Sequence, residues 1–166
     1  MTTTDALLVF TNGTIFRGFA WGKKGVTTGA VVVDATISGY EEALRKPENK
    51  GKLVLSTSPH IGNVGARGNG AYLAAGMIVR EPAQIVSNWT AEAELEPQLS
   101  SHKVIGISGI DTRAVRQLIQ QNPSVKAGIF SGLALPETVR NLERNAKIPA
   151  SIKSDLVTRV IESEQI

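Results

Sequence analysis

Three groups of residues in this chain have types and spacing that could do chemistry. Ser58, His60 and Asn63 lie within six residues of one another, the set from which a serine nucleophile and its base would be drawn. Two residues apart in an extended segment, Ser58 and His60 point the same way without having to meet. No carboxylate stands nearby to orient the imidazole, and there is no Gly-x-Ser-x-Gly elbow, so the spacing argues against nucleophilic catalysis. The second group, Gly62-Asn63-Val64-Gly65-Ala66-Arg67-Gly68-Asn69-Gly70, follows a strand-like run and could offer backbone N–H groups to an anion. Its spacing fits neither Gly-x-Gly-x-x-Gly nor the phosphate loop that ends in Gly-Lys-Ser/Thr, which leaves a turn-rich connection as the simpler reading. The third group is Asp111-Thr112-Arg113. An aspartate that opens an amphipathic run is most simply an N-cap, and that frees Arg113 and Arg116 for an interface.

The elements that must position these groups alternate between strand and helix. Residues 7–10 and 14–19 are short β-prone runs on either side of Thr11-Asn12-Gly13, and Asn-Gly supplies the positive φ angles of a tight hairpin turn. Ala30-Val31-Val32-Val33 reads as a strand inside a sheet. Ser38-Gly39-Tyr40-Glu41-Glu42 opens a short helix that Pro47 must stop. Strands are predicted over 52–57, 76–79, 104–107 and 129–130, and residues 62–70 are predicted as loop. Asp111 should cap a helix over 112–121, in which Val115, Leu118 and Ile119 make the apolar stripe. Further helices are expected over 136–146 and 154–162. Trp21 and Trp89 sit beside turn-type residues, where they either cover a core edge or anchor a partner, and His102 reads as an exposed bystander.

Composition limits the function classes. A chain of 166 residues with 42% hydrophobic content has the size of one domain and can bury a core unaided. It contains no cysteine, which excludes disulfides, thiolate metal sites and thiol catalysis from these residues. With only two histidines, no metal site or cofactor is indicated. The lack of disulfides fits a cytoplasmic address, and the apolar run at 6–10 is far too short for a signal sequence or a membrane span. A net charge of +3, from 18 basic and 15 acidic residues, is too small to imply nucleic acid binding.

Taken in order, a set of motifs resembles the N-terminal domain of the carbamoyl phosphate synthetase small, glutamine-hydrolysing subunit. The set comprises Leu7-Leu8-Val9, Asn12-Gly13-Thr14, Phe16-Arg17-Gly18, Ser38-Gly39-Tyr40-Glu41-Glu42, Pro59-His60-Ile61-Gly62-Asn63-Val64-Gly65, Ser87-Asn88-Trp89, Gly106 to Arg113 and Ala127-Gly128-Ile129-Phe130-Ser131-Gly132. The resemblance implies an α/β fold, a β/β/α swivelling-type domain with a mixed sheet and flanking helices. It implies a domain over residues 1–150 followed by a C-terminal helical extension over 151–166. In that family the nucleophilic cysteine and its histidine lie in a following glutaminase domain, which the resemblance does not reach. The expected role is therefore a non-catalytic scaffold that meets a large synthetase subunit, a separate glutaminase chain, or both. Interface or loop residues carried over in this way are Pro59, His60, Ile61, Gly62, Asn63, Gly65, Asp111, Thr112 and Arg113. A homodimer would cover apolar surface left by an absent neighbour. The other expectation is a stand-alone small-molecule or anion-binding protein that uses the glycine-rich loop at 62–70.

The chain also departs from the family pattern. Where the family has Asp-Pro-Ser, with a serine that contributes to the glutamine site, this chain reads Lys46-Pro47-Glu48. The Glu48 carboxylate adds charge and bulk at that substrate-binding position, which argues against a glutamine contact there. Gly29-Ala30-Val31-Val32-Val33-Asp34-Ala35 lacks the family's Glu and Asn, and an acidic stretch after Gly65 is shortened and slightly basic.

Overall fold

The computed structural model describes residues 5–34, 44, 47–56, 73–80, 103–140, 142 and 147–163. Seven strands run through them: β1 (Asp5–Phe10), β2 (Ile15–Gly22), β3 (Val26–Asp34), β4 (Leu53–Ser56), β5 (Gly76–Ile78), β6 (Ile105–Ser108) and β7 (Lys126–Ser131). The described helices are α1 (Thr112–Gln121), α2 (Glu137–Arg140) and α3 (Ala150–Ser163). The expected α/β class with a mixed sheet and flanking helices is present, and the sheet closes on itself in the order β1-β2-β6-β5-β4-β3-β7. Strands β3 to β6 pair in parallel, whereas β1, β2 and β7 join them through antiparallel ladders.

The opening hairpin forms around Thr11-Asn12-Gly13, with Val9 opposite Ile15, but Asn12 does not take the positive φ expected of the Asn-Gly pair. Among the described turn residues only Gly13 takes a positive φ, +96°. The Gly13 N–H donates to the Phe10 carbonyl at 2.9 Å and the Phe10 N–H to the Thr14 carbonyl at 2.8 Å. That pattern is a longer loop with one left-handed glycine. Asn12 plays a different part from the one expected, because its Oδ1 accepts from the Thr14 N–H at 3.1 Å and so needs no left-handed backbone of its own.

Strand β1 is apolar on both faces because both faces are covered. Ala6, Leu8 and Phe10 join Leu53, Leu55, Ile78, Ile107 and Ile129 in the barrel interior. Leu7 and Val9 face outward and pack with Phe130, Leu135 and Val139 against Leu156 and Val160 of α3. A third cluster on the outer side of the parallel strands holds Trp21, Leu44, Val54, Met77 and Val104. Trp21 is therefore a core residue, whereas Trp89 and His102 lie outside the described residues. Strand β3 divides its pairing, with Val26 to Ala30 against β7 and Val31 to Asp34 against β4. Within the apolar run at 30–33 only Ala30 pairs with β7 and Val31 to Val33 pair only with β4, so the run is not flanked on both sides as a strand inside a sheet would be, and Val33 is 40% exposed.

Helix α3 begins at Ala150, four residues before the predicted start, and the Lys153 N–H donates to the Pro149 carbonyl at 3.0 Å. Ile152, Leu156 and Val160 recur every fourth residue and set its apolar stripe on the barrel. The helix expected over 136–146 is described as helix only at Glu137–Arg140, and the helix expected after Ser38 falls outside the described residues except at buried Leu44.

Candidate functional site

Because β4, β5 and β6 run in parallel, their carboxyl ends come out at one edge of the barrel, the side of an α/β sheet on which ligands are usually bound. Strand β5 leads there into Val79 and Arg80, and β6 leads through Gly109, Ile110 and Asp111 into α1. Two backbone bonds tie these ends together: the Gly109 N–H donates to the Arg80 carbonyl at 2.7 Å, and the Ile110 N–H to the Val79 carbonyl at 3.4 Å. Gly109 has φ +76°, and a Cβ on it would meet Cδ2 of Phe19 at 2.9 Å, so a glycine lets the chain turn from strand to helix beneath that ring.

An open cleft of about 540 Å³ lies at this edge, lined among the described residues by Phe19, Arg80, Ser108, Gly109, Ile110, Asp111 and Arg113. Among these residues the charged groups are two guanidiniums and one carboxylate. The Asp111 side chain caps α1, with Oδ1 accepting from the Ala114 N–H at 3.2 Å. Arg113 and Arg116 are exposed, while Thr112 and Val115 turn inward and are buried. One further buried hydroxyl stands at the end of β4: Ser56 Oγ has no hydrogen-bond partner among the described residues. A second cleft of about 440 Å³, whose lining among the described residues carries no charge, lies between the β1–β2 turn and residues 121–125. Among the described residues no three His, Cys, Asp or Glu side chains gather as metal ligands would, and no helix is long and apolar enough to cross a membrane.

The family model for the carbamoyl-phosphate synthase small chain, CPSase domain, matches residues 8–129. The chain belongs to this family. The carbamoyl phosphate synthase small chain of Streptomyces coelicolor is 37% identical over 165 residues, covering 97% of this chain and 43% of that protein. The small chain of Mycobacterium leprae is 40% identical over 147 residues, covering 84% of this chain and 39% of its own length. The chain thus spans about two fifths of the length of these curated relatives. Among solved structures, an aminopeptidase from Aneurinibacillus sp. strain AM-1 overlaps 79% of this chain and 30% of its own at 13% identity, with a TM-score of 0.39, too slight a likeness to carry weight.

Of the residues singled out from the carbamoyl phosphate synthase motifs, the structure gathers Asp111, Thr112 and Arg113 at the β6–α1 junction. Pro59, His60, Ile61, Gly62, Asn63 and Gly65 lie outside the described residues. Glu48 sits exposed on a single 3-10 turn, Pro47–Asn49, which leads into the amino end of β4 and so away from the cleft. Phe19 and Arg80 were not singled out from the sequence, and Ser108 entered only within the motif Gly106 to Arg113. The available signal was positional: Arg80 and Ser108 each close an apolar strand that proved parallel to its neighbour.

The cap gives a local prediction. Asp111→Ala should lower stability by about 1 kcal/mol, whereas Asp111→Asn should leave it nearly unchanged, because asparagine caps a helix as well as aspartate does. Paired urea titrations check this. Equal losses in the two variants would show that the carboxylate charge matters and the cap does not.

Proposed function

We propose that this chain is a non-catalytic positioning domain of a glutamine-dependent carbamoyl phosphate synthase. It would dock on a large synthetase subunit and on a glutaminase domain or chain, in the cytoplasmic synthesis of arginine and pyrimidine precursors. The family match across residues 8–129 carries the reading. The chemistry of the residues supports it. A glutamyl thioester needs a thiolate, and none of the 166 residues is a cysteine. The exposed residues of the β6–α1 junction, Asp111 and Arg113, present charge and not a nucleophile with its base. A domain of this kind contributes by holding two active sites in register and by excluding water between them.

The test is co-elution of the purified chain with a carbamoyl phosphate synthase large chain, and separately with a glutaminase chain, at micromolar concentration. Arg113→Glu is expected to weaken the complex by about tenfold, equivalent to about 1.4 kcal/mol, because it reverses an exposed charge without touching the core. Lack of co-elution with either protein would overturn the docking role. Ammonia release from glutamine by the purified chain alone would overturn the non-catalytic one.

A further inference from the structure

The geometry points to the cleft at the β6–α1 junction as a binding site for a small organic oxyanion, a carboxylate or phosphoryl group gripped by Arg80, Arg113 and Ser108. Two cationic side chains from separate elements converge there, one just past β5 and one in the first turn of α1. Each guanidinium offers a planar fork of donors that matches two oxygens of a carboxylate or phosphoryl group. Ser108 lines the same cleft and is only 7% exposed, yet none of the hydrogen bonds among the described residues uses its hydroxyl. Its neighbour Ile107 packs in the barrel interior, so alternation along β6 turns Ser108 outward, beside its cross-strand partner Phe19. That hydroxyl is not sealed off as Ser56 Oγ is, so it opens into the cleft, where a ligand oxygen can accept its hydrogen bond.

The surrounding backbone makes this a built site. The Gly109–Arg80 bond fixes the two strand ends against each other, and the positive end of the α1 dipole opens on the same side. The Phe19 ring supplies an apolar wall, which suits an oxyanion carried on a carbon skeleton better than a bare ion. The cleft volume of about 540 Å³ falls within the usual range for small-molecule sites. Asp111 is the opposing charge in the lining, and its Oδ1 is already engaged by the Ala114 N–H. That carboxylate should weaken anion binding without abolishing it.

The site can be tested on the chain alone, so its failure is distinct from any failure of partner docking. Amide NMR shifts are followed during titration with inorganic phosphate and, separately, with glutarate, at constant ionic strength. Saturable shifts at Arg80, Ser108 and Gly109 are expected with at least one probe, and the tighter probe identifies the ligand as phosphoryl or carboxylate. Arg80→Gln and Arg113→Gln should each weaken binding about tenfold, a loss of about 1.4 kcal/mol. Asp111→Asn should tighten it with no change in melting temperature, which a purely structural role would not produce. Lys153→Gln, an exposed cation on α3, serves as control and should have no effect. Absence of saturable shifts with both probes up to about 30 mM, well past the millimolar range of weak sites, would overturn the assignment. So would equal weakening by Lys153→Gln, which would mark the binding as general charge attraction.

Discussion

Phe130→Ala should lower the unfolding free energy by about 3–5 kcal/mol, read as a fall in the urea midpoint at unchanged slope. Against the roughly 5–15 kcal/mol that holds a typical domain together, that is a large fraction. Phe130 is fully buried on the outer face of β7, where it joins Leu7 and Val9 of β1 to Leu135, Val139, Leu156 and Val160. The Arg159 guanidinium lies 5.1 Å from the centre of its ring and adds a cation–π contact. Helix α3 has 14 residues, a length that is marginal for an isolated helix in water, so its stability depends on the surface that Phe130 provides. Truncation should therefore also expose α3 to limited proteolysis before the barrel unfolds. Phe130→Leu keeps most of the apolar volume and should recover the greater part of the loss. A cost below about 1 kcal/mol for the alanine variant would mean that the ring does not fill the interface between barrel and helix.

How far this architecture could be read from the sequence depends on the range of the interaction. Local signals worked where the deciding contact lies within a few residues. Asp111 capping Ala114 and the stripe of Val115, Leu118 and Ile119 both follow from helical spacing, and α1 forms over the predicted residues 112–121. The hairpin followed from two apolar runs flanking Asn12-Gly13, but its turn type did not, because the Asn12 side chain could form its bond to Thr14 without a left-handed backbone. What spacing could not reveal is barrel closure. That depends on β7 pairing with both β1 and β3, and β3 changes partner at Ala30 within one unbroken apolar stretch. The cleft depends on closure too. Arg80 and Arg113 come to line one cleft only because β5 and β6 pair in parallel through Ile78 and Ile107, and no pattern along the chain encodes that pairing. Helix α3 starts ahead of the apolar spacing that predicts it, because the Pro149 carbonyl accepts its first helical bond, from the Lys153 N–H.

Arg17→Ala should cost about 2–3 kcal/mol, although the residue is charged and lies on the outer side of the barrel. On the β1–β2 ladder Asp5 stands opposite Phe19 and Leu7 opposite Arg17, so Asp5 and Arg17 are diagonal neighbours on one face. The Nη2 of Arg17 donates to Asp5 Oδ2 at 2.8 Å and to the Leu142 carbonyl at 3.0 Å, with a longer contact to the Val139 carbonyl at 3.4 Å. The two carbonyls belong to the end of α2 and the residues after it, where a helix leaves acceptors that its own turns cannot satisfy. One guanidinium thus joins the first strand to the carboxyl end of a helix far along the chain. Its side chain is only 11% exposed and that of Asp5 only 25%, so the pair is worth more than a surface ion pair, for which a fraction of a kcal/mol would be usual. Loss of one partner from a fully buried pair costs about 3–5 kcal/mol, and the partial exposure of Asp5 brings the expectation below that range. Arg17→Lys should rescue part of the loss, since these three contacts all come from the one nitrogen Nη2 and an ammonium carries three donors, although its different stem places that nitrogen less well. Asp5→Asn retains the bonds from Arg17 to the carbonyls and should cost only about 1 kcal/mol. Urea unfolding of the three variants at low and high salt decides the matter. If Arg17→Ala falls within about 0.5 kcal/mol of the parent, or if its effect vanishes in high salt, Arg17 is an ordinary surface cation and something else holds α2 to the hairpin.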